Sequence, residues 1–293
     1  MININNNLFI KLKENLDKND AKDINKLESI CLDYDKVNLK LEIDYKLSRD
    51  DKDSENLKHI NEFMFYDGNE LIGYAGIGSF GGEALEINGM VHPDYRRKGV
   101  FTRLFSLIND EFYKRKVNEM LLLSDNNSTA GLAFIKCLDC EYHHSEYDMN
   151  LDMNITHETK YGDLYFRKMT YDDISKVGKN DFEFFDENDM EELSVSSTYI
   201  VMKKDTLIGK ARLEINDGIG GIYGLEVLPV HRGKGYGREL LLLSINKLKE
   251  SNVKEIKLQV ETKNKNALNL YKSCGFKENY TMDYYSITKI PHR

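Results

Sequence analysis

Three glycines occupy alternate positions, Gly233, Gly235 and Gly237, between an arginine and the start of an apolar helical pattern. Residues without side chains leave their backbone N–H groups accessible, and a helix start adds unpaired donors and the positive end of the helix dipole. The stretch therefore predicts an anion site at the start of a helix, with phosphate as the expected ligand.

Two common phosphate motifs do not fit this stretch. The nucleotide P-loop requires Ser or Thr after Gly-Lys, whereas Lys234 is followed by Gly235. The dinucleotide fingerprint requires a third glycine where the chain has Arg238 or Leu240, depending on which glycine begins the count. A third kind of phosphate site remains, and the rest of the sequence must identify it.

Length and composition limit the class of protein. The chain has 293 residues, 41% of them hydrophobic, and a net charge of −8. This length suits two domains with separate cores, and no apolar run approaches the roughly 20 residues that cross a bilayer. The charge argues against nucleic-acid binding and mildly favours cationic substrates. The start of the chain lacks an export signal and the four cysteines are scattered, so we expect a soluble, cytoplasmic protein.

One short stretch has residues that commonly bind metals. Cys137, Cys140, His143 and His144 lie within eight positions. Structural zinc sites draw their ligands from separated pairs, so this crowding does not favour a metal centre. We therefore predict no metal site.

The two halves of the chain are related by a repeat. A constant shift of 136 residues superposes Val91 on Val227 and Gly99 on Gly235 without a gap. Other identical pairs at this shift are Leu71 and Leu207, Gly73 and Gly209, Pro93 and Pro229, Arg96 and Arg232, and Lys98 and Lys234. The period is too long for a solenoid and predicts two similar domains, 1–152 and 163–293.

The second half predicts an alternating order of strands and helices. The glycine stretch lies between a strand that ends at Val227 and a helix that begins near Gly237. Other strands are predicted at 164–169, 198–203, 207–215, 256–260 and 280–287, and a helix at 266–273. The pattern indicates an α/β domain with the anion site after a central strand.

Two motifs together resemble a known family. They read Val227-x-Pro229-x-x-Arg232-x-x-Gly235-x-Gly237 and, downstream, Asn264-x-x-Ala267-x-x-Leu270-Tyr271-x-x-x-Gly275-Phe276. In this order they resemble the GNAT superfamily of acyl-CoA-dependent N-acetyltransferases, and the repeat makes the whole chain similar to tandem-GNAT proteins of the mycothiol synthase type. The resemblance implies two tandem GNAT domains, each a mixed, mostly antiparallel sheet flanked by helices. It also implies acetyl transfer from acetyl-CoA to a primary amine of a small molecule or peptide.

The resemblance assigns roles to individual residues. Backbone groups of residues 225–227 would follow the pantetheine arm, and residues 233–238 would wrap the pyrophosphate. The residues expected to contact coenzyme A are Leu225, Glu226, Val227, Arg232, Gly233, Lys234, Gly235, Tyr236, Gly237, Arg238, Asn264 and Tyr271.

The same resemblance makes Tyr271 the general acid that protonates the departing thiolate. The general base is open: Glu226 is one candidate on the central strand, and Tyr223 or a chain of water molecules are alternatives. A position on the next strand holds Gln259, which cannot accept the proton. Strand alternation allows the Glu226 side chain to point away from the acceptor.

The first copy departs from the second at these positions. Phe101 stands opposite Gly237, and Ile135 stands opposite Tyr271, or Phe134 if a one-residue gap is introduced. None of these can donate a proton, so we place catalysis in residues 163–293. Residues 1–152 then have a structural, cofactor-binding or substrate-shaping role.

Several questions stay open at this stage. A coenzyme A-binding regulatory or interaction protein without turnover is the alternative function, and Tyr271 is the residue that argues against it. Whether the first copy binds coenzyme A, and in which oligomeric state the chain works, cannot be read from the residues. The acidic stretch 182–193 is either a mouth for a cationic acceptor or a solvated face.

Overall fold

The computed structural model describes residues 7–48, 58–78, 84–156, 160, 162–176 and 197–289. The chain separates into two compact units. The first unit comprises Met1–Ser145 and Met282–Arg293, and the second comprises Glu146–Thr281. The acidic stretch 182–193 lies outside the described residues.

The first unit is a sheet with helices on both faces. Its strands run in the order β1-β2-β3-β4-β5, and only β4 and β5 are parallel neighbours. The strands are β1 (Leu8–Lys13), β2 (Glu62–Asp67), β3 (Glu70–Gly78), β4 (Ala84–Val91) and β5 (Glu119–Asp125). The helices are α1 (Lys18–Asp35), α2 (Ile43–Ser48), α3 (Val100–Lys114) and α4 (Thr129–Ile135).

The second unit repeats this plan. Its strands run in the order β7-β8-β9-β10-β11, and again only the last two are parallel. The remaining strands of the chain are β6 (Glu141–Leu151), β7 (Leu164–Lys168), β8 (Thr198–Lys203), β9 (Thr206–Asn216), β10 (Ile219–Val227), β11 (Glu255–Glu261) and β12 (Phe276–Thr288). The helices are α5 (Tyr171–Lys176), α6 (Tyr236–Glu250) and α7 (Lys265–Ser273). The predicted mixed, mostly antiparallel sheet is confirmed in both units.

Each unit has a core between its sheet and the helix that follows the central strand. In the second unit, Leu240, Leu241 and Ile245 of α6 pack against buried residues of β9, β10 and β11. In the first unit, Leu104 and Ile108 of α3 make the equivalent core. These apolar positions recur at helical spacing, which is why the sequence pattern located both helices.

The last strand of each half divides between the two units. Residues 282–288 of β12 pair with β5 in the first unit, and residues 146–150 of β6 pair with β11 in the second. The compact units therefore differ from the predicted domains 1–152 and 163–293 in where the final strands lie, and those domain bounds stay a prediction. Because β5 and β11 are repeats of each other, the sequence does not reveal which one accepts which final strand. Ladder hydrogen bonds across the fold decide it.

Within the described residues, no helix is both long and apolar enough to span a membrane.

The exchanged strand gives a test that uses Tyr284 of β12. Its side chain is 2% exposed, stacks on His144 with ring centroids 4.2 Å apart, and accepts a hydrogen bond from Lys40 at 2.8 Å. We expect Tyr284→Ala to destabilise the first unit by about 3 kcal/mol because it opens a cavity beside β5. Hydrogen exchange measured by mass spectrometry should accelerate in β5 and not in β11.

Tyr165→Ala is the matched control, because Tyr165 is 63% exposed on β7. It should change stability by about 0.5 kcal/mol or less. Faster exchange in β11 than in β5 after Tyr284→Ala would contradict the strand assignment.

Candidate active site

The anion site predicted from the glycines is a loop between β10 and α6. Residues Pro229–His231 form a 3₁₀ turn, and the backbone is left-handed at Gly233 (φ 76°) and Gly235 (φ 85°). Gly235 is the N-cap of α6 and supplies no side-chain hydrogen bond to the first turn. The helix begins at Tyr236, one residue before the predicted start. Its first amide donors thus have no side-chain cap and carry the positive end of the helix dipole.

Open space lies over this loop. A Cβ atom placed on Gly237 would have its nearest neighbours at 3.7 Å in Leu270 and 3.9 Å in Val227, and one on Gly233 would meet nothing within 4 Å. We call the surface between the end of β10, the start of α6 and α7 the groove, and the loop of residues 232–235 on it is exposed. Bare amides beside such a groove suit a diphosphate, and so the loop fits the pyrophosphate of coenzyme A.

Basic side chains surround the loop. Arg232 donates to the Val227 carbonyl at 2.8 Å and to the Glu226 carboxylate at 3.1 Å. Lys234 and Arg238 lie on the same loop and the following turn, and Lys234 is exposed. These cations can add charge-assisted hydrogen bonds to the backbone donors.

The central strand β10 contains a bulge next to this loop. Tyr223 stands opposite Arg212 and Glu226 stands opposite Lys210, so two residues, Gly224 and Leu225, face a single residue of β9. A bulge adds a residue, bends the strand and re-aims side chains, and such bulges often lie beside active sites.

The bulge explains where the Glu226 side chain goes. Leu225 and Val227 pack on the core beneath α6, whereas Glu226 faces the opposite side of the sheet. Its carboxylate is 42% exposed and pairs with Arg232. The structure thus does not place Glu226 on the sheet face that carries Tyr271.

Strands β10 and β11 stop pairing just before the bulge. Their parallel pairing ends at Ile222 and Leu258, and residues 257–261 of β11 pair with β6 on the other side. A wedge opens between residues 223–227 of β10 and residues 259–261 of β11. A chain laid along β10 could form main-chain hydrogen bonds there in the manner of an added strand.

Tyr271 lies in the core that borders the groove. Its side chain is 8% exposed, and burial raises the pKa of the phenol. Within the described part of the chain, no hydrogen-bond partner of the Tyr271 hydroxyl is found. The phenol is therefore kept protonated and has a donor to offer.

Asn264 behaves as the predicted helix cap. It is the N-cap of α7, and its side-chain oxygen accepts from the Ala267 amide at 3.1 Å. The cap fixes the start of the helix that carries Tyr271. Its predicted contact with coenzyme A stays a prediction.

Tyr223, the other base candidate, lies on the same face as Glu226. The guanidinium of Arg212 sits 5.3 Å from the centre of its ring. The aromatic side chain is partly exposed, so solvent can reach it.

The first unit keeps the loop but fills the groove. Arg97 and Gly99 repeat the left-handed backbone of the second unit, with φ of 60° and 77°. The Phe101 ring, however, packs edge-on against Phe134 with centroids 4.7 Å apart. One of its carbons lies 2.7 Å from where a Cβ on Gly89 would be. Aromatic rings thus occupy the space that is open beside Gly237.

The first unit shares the early end of the parallel pairing, at Ile87 and Leu122, but lacks two other features of the second unit. Strand β4 pairs with β3 from Glu86 to Val91 without a bulge, and Ile135 is buried at the position of Tyr271. On the opposite face, the Asn38 amide donates to Asp125 at 2.8 Å. Loop 37–42 thereby covers the end of β5.

The cysteine and histidine stretch forms no visible ligand set. His143 and His144 approach each other at 2.7 Å between their Nδ1 atoms, and Cys137 is exposed. Among the described residues, no three His, Cys, Asp or Glu side chains converge on one point.

One acidic residue near the wedge was not found from the sequence. Asp148 of β6 stands opposite Gln259 of β11 and is 7% exposed. No motif surrounds Asp148, and its place became visible only through the pairing of β6 with β11.

Comparison with known proteins agrees with the geometry. Residues 27–137 and 164–276 each match the Acetyltransferase (GNAT) family. A mycothiol acetyltransferase from Thermomonospora curvata is 36% identical over 76 residues, 26% of this chain and 25% of that protein. An N-alpha-acetyltransferase from Sulfurisphaera tokodaii is 39% identical over 67 residues, 22% of this chain and 40% of that protein. The matched segments thus span less than half of either relative.

Solved structures share the fold over nearly the whole chain. A GCN5-related N-acetyltransferase from Sphaerobacter thermophilus aligns over 97% of this chain and 96% of its own, with a TM-score of 0.76 and 15% identity. A tandem GNAT protein from the clavulanic acid biosynthesis pathway aligns over 98% of this chain and 100% of its own, with a TM-score of 0.71 and 13% identity. Since the family match covers most of both halves, the chain belongs to the Acetyltransferase (GNAT) family, with two matched copies in tandem.

Proposed function

We propose that the chain transfers an acetyl group from acetyl-CoA to a primary amine of a small molecule or peptide, and that catalysis takes place in the second unit. The observation that carries the proposal is the difference between the two copies. The second unit has an exposed loop of glycines, a bulged central strand and a buried tyrosine ring together, whereas the first has Phe101 and Ile135 at the positions of Gly237 and Tyr271.

In this proposal the second unit holds acetyl-CoA mostly through its backbone. The loop from Gly233 to Arg238 binds the pyrophosphate, and Leu225, Glu226 and Val227 offer main-chain groups to the pantetheine arm. Arg232, Lys234 and Arg238 add positive charge. The bound thioester supplies the electrophilic carbonyl carbon, and residues near the wedge position it.

The amine must lose a proton before it attacks. An alkyl ammonium with a pKa of about 10.4 costs about 4.6 kcal/mol to deprotonate at pH 7 without assistance. The amine nitrogen then forms a bond to the carbonyl carbon while the carbon–sulfur bond breaks. Tyr271 donates its proton to the sulfur, and the raised pKa of this phenol keeps it protonated until then.

The relatives guide the choice of acceptors to assay. One is a mycothiol acetyltransferase and the other an N-alpha-acetyltransferase. A panel should therefore contain small-molecule amines, including polyamines and amino sugars, and peptides with free N termini. Thiol release from acetyl-CoA in the presence of each acceptor measures the activity. Binding of acetyl-CoA with no turnover on the whole panel would favour the regulatory alternative.

Tyr271→Phe tests the general acid. We expect kcat to fall by about 100-fold because the leaving thiolate loses its proton donor. The Kd for coenzyme A, measured by calorimetry, should stay within about threefold because the ring remains. Tyr199→Phe is the control, since Tyr199 is a buried tyrosine of the same core. Equal losses of turnover and affinity in Tyr271→Phe would contradict its role as acid.

Exchanging the groove residues of the two copies tests which unit holds coenzyme A. We expect Gly237→Phe to weaken coenzyme A binding by about 100-fold, equivalent to about 3 kcal/mol of overpacking in the groove. Gly237→Ala should bind within about twofold of wild type, because its Cβ has room.

Phe101→Gly in the first unit is the reciprocal variant. Calorimetry should give one coenzyme A per chain both before and after this change. Retained affinity in Gly237→Phe, or a loss of affinity in Phe101→Gly, would overturn the assignment of the site to the second unit.

A further inference from the structure

Asp148 is a buried carboxylate on the strand next to Gln259. We propose that Asp148 is the general base that takes the proton from the acceptor amine, so that a residue from the first half of the sequence completes the active site of the second unit. This inference rests on the proposed function. It adds the general base, which the residues of β10 and β11 beside the wedge do not supply.

The register of the sheet places Asp148 beside the wedge. Asp148 pairs with Gln259, the first residue of β11 after its contact with β10 ends at Leu258. Met149, its neighbour on β6, packs in the core beneath α6 and α7. Because side chains alternate along a strand, Asp148 and Gln259 share the other face of the sheet.

Base and acid then lie on opposite faces of the sheet. Tyr271 belongs to the core on the α7 side, where the groove and the loop of glycines also lie. A thioester lying in the wedge would present its sulfur to this side. The amine would approach from the face of Asp148. Asp148 would then accept the proton that leaves the amine, and Tyr271 would protonate the departing sulfur.

The surroundings of Asp148 suit a base better than a structural ion pair. Its side chain is 7% exposed, and within the described residues it takes part in no ion pair. The Asn279 amide donates to it at 3.4 Å, and the side chains of Gln259 and Tyr280 also hydrogen-bond to it. A buried carboxylate without a salt bridge is costly for folding, and such groups concentrate at functional sites.

Groups near Asp148 offset only part of the effect of burial on its pKa. Burial raises the pKa of Asp148, and Lys257 of β11 and the neutral donors lower it again without cancelling the effect of burial. Glu146 of β6 and Glu261 of β11 lie on the same face, and Tyr280 of β12 hydrogen-bonds to Asp148. Across the wedge, this face also carries Lys210 and Arg212 of β9 and Tyr223 and Glu226 of β10. A carboxylate with a raised pKa is a stronger base than an exposed aspartate, which is what proton removal from an ammonium requires.

The proposed step balances. The Asp148 carboxylate accepts one proton from the substrate ammonium, directly or through one water molecule. The freed nitrogen lone pair forms the carbon–nitrogen bond, the carbon–sulfur bond breaks, and Tyr271 protonates the sulfur. The new amide nitrogen then loses its second proton, which restores the Tyr271 phenol, and Asp148 releases the first proton to solvent. Glu226 is less suited to this step because Arg232 holds its carboxylate towards the loop.

Asp148→Asn is the main test, because the amide keeps the shape and the hydrogen bonds. With an acceptor from the panel, we expect kcat/KM at pH 7 to fall by about 100-fold. The rise of kcat/KM with pH that reports deprotonation of the Asp148 carboxyl group should disappear. The Kd for coenzyme A should stay unchanged. Glu146→Gln, on the same strand and face, is the control for loss of one negative charge. It should keep both the rate and the profile.

Stability gives a readout that needs no substrate. A carboxyl group whose pKa is higher in the folded than in the unfolded state lowers the free energy of unfolding as the pH rises. This loss begins near the unfolded pKa, about 4, and ends above the folded pKa. The Asp148→Asn variant has no such carboxyl group and does not suffer this loss. The difference between its Tm and the wild-type Tm should therefore increase from pH 4 to pH 7. The opposite trend would show that the folded protein stabilises the charged carboxylate, as a structural ion pair does.

The outcomes separate the two proposals. Wild-type turnover with an unchanged pH profile in Asp148→Asn would overturn the base and leave the acetyltransferase function intact. Loss of coenzyme A affinity and of Tm in Asp148→Asn would also overturn it, as a structural effect. Binding of acetyl-CoA by wild type without turnover on any amine would overturn the proposed function and the base with it.

Discussion

The divergence of β10 from β11 is the constraint on which the chemistry of the second unit depends. Two parallel strands that stayed paired would satisfy each other's backbone groups and leave nothing for a ligand. Pairing of β10 with β11 stops just before the bulge at Gly224 and Leu225, while β6 stays paired with the other edge of β11. The edge of β10 therefore faces a wedge, next to a helix start whose amides have no side-chain cap.

The two copies share the loop geometry but differ in what covers the loop. Both loops keep the left-handed backbone before the helix, so the turn is a property of the fold and not of catalysis. In the first copy, Phe101 and Phe134 fill the space over the loop, and loop 37–42 covers the end of β5. Filling a groove with aromatic rings removes a ligand site and adds packing, which suits a unit whose role is structural.

The exchange of final strands makes the units depend on each other. Each half of the sequence supplies the strand that pairs with the fifth strand of the other half, through β6 and β12. Asp148 lies on β6, and so the face of the second unit that would meet the acceptor contains a carboxylate from the first half. In a single-copy relative of the second half, an equivalent carboxylate would have to come from another part of the chain.

The sequence by itself determined the local features: the loop of glycines, the helices that follow the central strands, the Asn264 cap and the relation between the two halves. These depend on residues within a few positions of each other, so spacing reveals them. The tertiary structure alone decided the bulge, the destination of the last strands and the position of Asp148. Strand pairing joins residues far apart in the chain, and one added residue turns every following side chain to the other face, so no local pattern records the result.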